Sequence, residues 1–564
     1  MWGGPPGSRS EPGGVGGNKL AIPGELTVDY PRPNLRRSHW VSLNGEWEFG
    51  SGDVETFDRK IIVPFCPESS LSGIGDPSPG DVVWYRRRFD APDAERLLLH
   101  FGAVDYRATV WVNGEEVARH EGGHTPFSAD ISRVAGRRGN VVTVRAEDPL
   151  ADKTIPRGKQ HWTARPEGIF YTATTGIWQT VWLEPLPSRS IEALRLTPDL
   201  DRGTVEIAVD AEGDFEAVAT FDGREVGRRK GSGVIVLDAV HPWSPEIPHL
   251  YGLEATLTHQ GQVVDRVESH FGLRKIETRD GRFWLNSAPY VQRLVLDQGY
   301  FPGGLMTAPS SADLRRDIEL AKAMGFNGAR KHQKVEDPRW LYWADRLGFL
   351  VWGEMPSVRQ HSHAAERRFI EEWTAAVRRD RDHPCIVIWS PVNESDGLSP
   401  DPAAFLEEVY RLTHELDPTR PVVSNDGWEH ATTDLCTLHD YATADVLRAR
   451  YRSAESALDP SFRPRPPYLP GYAYRGEPIV LSEFGGVALA GAGGTSYSEA
   501  EGASGLLQVY QEMVEALMDS GPVQGFCYTQ LTDVEQEKNG LLTFERAPKI
   551  DPSVLRPITQ MAKR

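Results

Sequence analysis

Two glutamates occupy positions from which paired carboxylates do chemistry. Glu394 follows the apolar run of "CIVIWSPVNESDG" (385–397), and Glu483 ends that of "IVLSEFGG" (479–486). An apolar run of strand length that gives way to turn-forming residues presents those residues at the rim of a sheet. Two carboxylates presented in this way can hydrolyse a glycosidic bond. One donates and later accepts a proton, and the other attacks the anomeric carbon, at a separation of ~5–5.5 Å when configuration is retained. A single glutamate after a strand is usually a solvated loop residue. Two at matching strand ends weaken that reading.

The elements that must position the pair run from about residue 276 onward. Short apolar strands are expected at "YVQRLVL" (290–296), "FNGAR" (326–330), "FLVWGE" (349–354), "CIVIWS" (385–390), "PVVSN" (421–425), "DLCTLHDY" (434–441), "IVLSE" (479–483) and "VQGFCYTQ" (523–530). Helices fall between most of them. One at 311–325 has Ser311 as its expected cap, one begins at Asp337-Pro338 and stops before Gly348, and one spans about 364–381. Eight strands with helices between them fit a (β/α)8 TIM barrel. A doubly wound sheet would need a Gly-rich phosphate turn, and none is present. Barrel function sits at the C-terminal strand ends. Those ends and their flanks carry Asp297, Arg330, His332, Glu354, Asn393, Glu394, His439, Tyr441, Glu483 and Tyr528. Glu354 reads equally as a site-lining carboxylate or as a structural partner of Arg330.

The chain before the barrel reads as strands and turns. Residues 1–22 are rich in Gly, Pro and Ser and are expected to form a disordered tail. Residues 23–188 suit a β-sandwich, with Asn113-Gly114 as a hairpin turn. Residues 189–275 suit an immunoglobulin-like β-sandwich, and 276–564 the barrel. The net charge of −18 argues against nucleic acid or anionic lipid as a partner. No long apolar segment or signal core is visible, so a cytoplasmic protein without a membrane partner is the expectation. Cys66, Cys385, Cys436 and Cys527 lack metal-site or disulfide spacing. His124, His161, His361 and His363 read as surface loop rather than metal ligands. The sixteen Trp read mainly as core and interface packing.

Several separate motifs then agree. "VRRDRDHPCIVIWSPVNES" (377–395) resembles the acid/base signature of glycoside hydrolase family 2. "VWVNGEEVARHEGGHTPFSADIS" (110–132) and "GIWQTVWLEPLP" (176–187) are similar to parts of that family's N-terminal jelly roll, and "FGLRKIE" (271–277) to its lead into the barrel. The resemblance spans roughly residues 30–550 and implies roles. Glu394 matches the acid/base and Glu483 the nucleophile. Asn393 matches the residue that bonds the sugar 2-hydroxyl. Arg330 and Tyr441 match residues that hold the nucleophile, and Tyr528 an aromatic residue under the sugar.

The implied activity is that of a retaining exo-β-glycosidase acting on a small carbohydrate or glycoside, with β-galactoside cleavage leading. Alternatives are β-glucuronidase, β-mannosidase or α-L-arabinosidase activity, a transglycosylase, or a non-catalytic glycan-binding protein. Gln333 stands where some members carry His. "SVRQHS" after Glu354 replaces the magnesium ligands of large β-galactosidases, so no metal or other cofactor is expected. Glu537-Lys538-Asn539 replaces the Asn-x-Lys pair that receives a uronic acid carboxylate. Glu537 there counts against a β-glucuronidase unless Lys538 or Lys331 substitutes. "PRGKQHW" (156–162) is expected to reach the barrel mouth. Homo-oligomerisation is compatible with the sequence but not specified by it.

Overall fold

The computed structural model describes residues 29–395 and 401–563. The expected N-terminal tail and the last two residues of the 385–397 stretch lie outside the described residues.

The first sandwich pairs a six-stranded with a four-stranded antiparallel sheet. Its logic is simple alternation: every second residue of Asn140–Glu147 is buried. Of these, Val142, Val144 and Ala146 meet Trp47, Phe49, Tyr85, Phe101 and Val110 in one apolar core. Arg107–Val112 and Glu115–Glu121 form the expected hairpin. Asn113 (φ 53°) and Gly114 (φ 85°) are both left-handed, as a two-residue turn of this kind requires. The second sandwich packs a three-stranded sheet on a four-stranded one. Its core is built from Leu196, Ile207, Tyr251, Leu253 and Phe271.

From Gln292 onward the sheet becomes parallel and curls into a (β/α)8-like barrel. Seven strands lie in one ladder. Gln292–Asp297, Gly328–Lys331, Leu350–Glu354 and Ile386–Ser390 run outward on one side, and Val523–Thr529, Ile479–Gly485 and Cys436–His439 on the other. The expected fifth strand at 421–425 is not a regular strand. It joins the fourth through isolated bridges, Trp389 to Val422 and Asn393 to Asp426. Pro421 has no N–H to give to a ladder, and the chain turns away at Gly427 (φ 104°).

The helices follow their end signals. Pro338–Leu347 is capped by Asp337 and closed by Gly348 at φ 68°. His363–Asp380 buries Phe369, Trp373 and Val377 on one face. Ser311–Ala323 starts one residue later than its cap, which is Ser310 rather than Ser311: the Ser310 side chain accepts from the Asp313 N–H. Trp340, Trp352, Trp373 and Trp389 are fully buried between strands and helices, removing roughly 150–250 Å² each from water. All four cysteines are buried and free. No helix among the described residues is long and apolar enough to cross a membrane.

Both sandwiches are fastened to the barrel. Trp243 of the segment before Tyr251–His259 donates its indole N–H to the Asp345 carbonyl. From the first sandwich, His124 N donates to Glu372, and Thr172 N to Glu535.

Candidate active site

Arg330, one residue from the end of the second barrel strand, has its side chain fully buried, which demands anionic partners. It has three: Glu354 at 2.7 Å, Asp426 at 2.7 Å and Glu483 at 3.0 Å. It also donates to the Ser482 carbonyl at 2.8 Å and to the Asn393 amide oxygen at 2.9 Å. One guanidinium thus connects the ends of strands two, three, four and seven and the fifth segment. Its planar set of N–H donors is what allows so many fixed directions at once.

Glu483 lies in the seventh strand with one oxygen on Arg330 and the other accepting the Tyr441 hydroxyl. Burial works against its charge, but His439, Arg330 and His332, with the Tyr441 bond, hold it well below the usual carboxylate range. Tyr441 is itself fixed by Tyr497, whose ring stacks on it at 3.5 Å between centroids.

Glu394 sits opposite. Its side chain is 30% exposed against 7% for Glu483, so it faces the rim. Its backbone is left-handed (φ 47°), an uncommon state for a residue with a Cβ. The fifth segment enforces it: Glu394 N donates to the Asp426 carbonyl, and Asp426 N to that of Val392. His439 bridges the two sides. Its Nδ1 is 2.6 Å from Glu394 and its Nε2 2.9 Å from Asp426. Burial disfavours its charge, yet Glu483, Asp426 and Glu394 together raise its pKa to about 10. Oxygens of Glu394 and Glu483 lie within 4.8 Å of one another.

The remaining expected residues divide. His332 bonds Glu354 at 3.0 Å, and Glu354 also accepts from Gln333 N, so Glu354 serves as the partner of Arg330 and a brace for the loop after strand two. Asp297 is neutralised by Lys331 at 2.7 Å, and Lys331 by Glu336 as well. Asp297 is therefore part of a buried support rather than an open contact. Tyr528, expected under the sugar, is fully buried and away from the carboxylates. Side chains alternate along a strand, and Tyr528 turns outward against Phe484 and Tyr510 of the helix Gly502–Met518. The next residue, Thr529, faces the site and lies 3.4 Å from the Tyr441 hydroxyl. His124 and His161 are buried rather than surface residues, packed on Trp178 and Trp162.

Sequence reasoning missed Asp426 and Tyr497. Asp426 directly follows the 421–425 segment, and extending the strand-end rule by one residue would have found it. Tyr497 is in a loop and carried no signal. The first sandwich also reaches the mouth, as expected for 156–162. Arg157 N and Gly158 N donate to the Ser357 carbonyl. Tyr171 donates its hydroxyl to Glu537, which also accepts from Asn539.

A carboxylate pair at the C-terminal mouth of a barrel, with Glu483 held by Arg330 and His439 lying between the two, fits a glycoside hydrolase. Family models agree along the chain: the glycosyl hydrolase 2 galactose-binding domain-like model over 80–173, the glycosyl hydrolases family 2 model over 210–274, and that family's TIM barrel domain over 280–549. The chain belongs to glycoside hydrolase family 2 and is an exo-glycosidase acting on sugars. A β-glucuronidase of the dog (Canis lupus familiaris) is 27% identical over 555 residues, covering 84% of this chain and 81% of that protein. A β-galactosidase of Thermoanaerobacter pseudethanolicus is 28% identical over 379 residues, covering 60% and 48%. The solved structure of a β-D-glucuronidase of Dictyoglomus thermophilum has a TM-score of 0.80 at 21% identity, covering 95% of this chain and 99% of that one.

Proposed function

We propose that this enzyme removes terminal β-linked sugars with retention of configuration, with Glu483 as nucleophile and Glu394 as acid and base, and that its sugar is a uronic acid, β-glucuronide in the first place. The carboxylate spacing carries the mechanism. Oxygens within 4.8 Å leave no room for a water between the carboxylate and the anomeric carbon, which an inverting enzyme needs.

The roles follow from the surroundings. Glu483 is held ionised, with Arg330 and Tyr441 aiming its oxygens. Its attack on the anomeric carbon forms a glycosyl ester while Glu394 protonates the departing oxygen. Glu394 then takes a proton from the incoming water, which breaks the ester and returns Glu483 to its charged form. The Asn393 amide oxygen is fixed by Arg330, so its NH2 group is free to donate to the 2-hydroxyl. Such a contact strengthens as charge develops on the ring.

The sugar assignment departs from the β-galactoside expectation. The dog β-glucuronidase aligns over far more of this chain than the β-galactosidase does. The objection raised by Glu537 also weakens, because that carboxylate is occupied by Tyr171 and Asn539. Lys331, one substitute considered for the uronate contact, is enclosed by Asp297 and Glu336 and is not available for it.

A panel of 4-nitrophenyl β-glycosides tests the sugar, with the β-glucuronide expected to be the best substrate; a β-galactoside cleaved faster would overturn the assignment. NMR of the first-formed sugar tests retention, and the inverted anomer would sink it. Glu394→Gln and Glu483→Gln should each lose at least ~100-fold in kcat.

A further inference from the structure

A lysine from the first sandwich sits at the mouth of the barrel without a partner for its charge. Lys159 is 6% exposed. Its ammonium makes no hydrogen bond and no ion pair with any described residue; it lies over the rings of Phe170 and Tyr171, 5.5 and 5.8 Å from their centroids. Burying a cation unpaired is costly, and the other buried lysines at this mouth avoid it. Lys331 is paired with Asp297 and Glu336, and Lys334 with Glu336.

The backbone around Lys159 is fixed on both sides. Arg157 is locked to Asp148 by two bonds, at 3.0 Å and closer. Gly158 (φ 60°) lies so near Gln333 that a Cβ there would come within 2.4 Å of its carbonyl oxygen. The Gln160 side chain bonds Asp105 at 2.9 Å and accepts from Thr174 N at 2.7 Å. Lys159 between them has its polar group over two aromatic rings and no anionic partner among the described residues. Burial, with the nearby Arg359 guanidinium, lowers its pKa from the ordinary lysine value, while Glu537, Glu483 and Glu394 lie close enough to favour its charge. Both proposed catalytic carboxylates are therefore within its electrostatic reach, yet neither is within ion-pairing distance.

We infer that Lys159 is the specificity residue that receives the carboxylate of a terminal uronic acid, delivered to the barrel site by the first sandwich. The inference rests on the β-glucuronide reading. It places the uronate contact in a different domain from the expected barrel position 537–539. A pyranose bound over Glu483 would present its ring carboxylate to a preplaced cation, and a charge-assisted bond there would replace the missing partner. A neutral sugar would leave the cation unpaired, so the arrangement selects by penalty as well as by attraction.

The test compares 4-nitrophenyl β-glucuronide with 4-nitrophenyl β-glucoside, which differ at that carboxylate. In Lys159→Gln, kcat/KM on the glucuronide should fall on the order of 100-fold, while the glucoside changes by less than about threefold. Lys159→Arg keeps a cation and should keep the preference for the glucuronide. In a Lys159→Gln enzyme that keeps measurable activity, equal loss on both substrates, or an undiminished preference for the glucuronide, would overturn the inference and leave the β-glucuronide reading standing. If Lys159→Gln is inactive on both, Lys159→Arg decides, and a lost preference there counts against the role. If instead the parent enzyme prefers the glucoside, the β-glucuronide reading itself fails and takes this inference with it.

Discussion

The Nδ1 atom of His439 lies 2.6 Å from a carboxylate oxygen of Glu394. Its other nitrogen faces Asp426, and 3.6 Å away lies Glu483. One imidazolium therefore sits among the two proposed catalytic carboxylates and the acid that anchors them. On the sixth strand His439 pairs with Glu483 of the seventh, across a one-residue shift in register after Leu438. The ring is placed by strand pairing rather than by a loop.

That placement gives a pH signature. The folded-state pKa of His439 is raised from 6.5 to about 10. A raised histidine pKa contributes stability that is fully present below about pH 6.5 and is lost as pH rises toward 10. Replacing it as His439→Gln should therefore lower Tm most near pH 6, with the gap to the parent narrowing by pH 10. A gap that is constant across that range would mean the ring is not charged in the folded protein.

Tyr441→Phe tests the charge on Glu483. The Tyr441 hydroxyl is one of the groups that depress the Glu483 pKa. A depressed carboxylate pKa means the ionised form persists as pH falls, until the folded pKa is crossed. Losing a bond to a charged group, worth about 1.5–3 kcal/mol, should move the acid limb of the kcat/KM profile up by about one pH unit or more. The stack with Tyr497 survives in Phe, so Tm should change little. An unmoved acid limb would assign that limb to another group.

Gly158→Ala probes the seam between sandwich and barrel. The added methyl meets the Gln333 carbonyl in a left-handed backbone that disfavours a side chain. The 156–162 segment should lift from the mouth. We expect KM to rise at least about tenfold, with a small loss of Tm, because the barrel core is untouched. Unchanged kinetics would show that the segment does not contribute to binding.

Chelation should leave activity intact. Glu394, His439 and Glu483 come close enough together to resemble a metal site. A ligating histidine must offer a lone pair, and here both ring nitrogens are turned to carboxylates with the proton held to about pH 10. Overnight dialysis against EDTA, followed by assay on the aryl glycoside, checks this. Activity lost and then restored by a divalent ion would refute it.

Much of the molecule was legible in the sequence, because local rules decide it. Strand alternation, the Asn113-Gly114 turn and the Asp337-Pro338 to Gly348 helix signals each depend on a few neighbouring residues, and the structure keeps them. So does the barrel order that brings Glu394 and Glu483 to one rim. Only the tertiary structure decided what distant pieces do to each other. The fifth segment lost its regular strand, yet from it Asp426 became a partner of Arg330 and His439. Tyr528 turned outward because strand phase, not residue type, sets its face. Lys159 belongs to the mouth of a barrel that begins more than a hundred residues later. A lone pair or a bare charge has no sequence signature. Its meaning comes from what the fold places within a few ångströms, and what it leaves out.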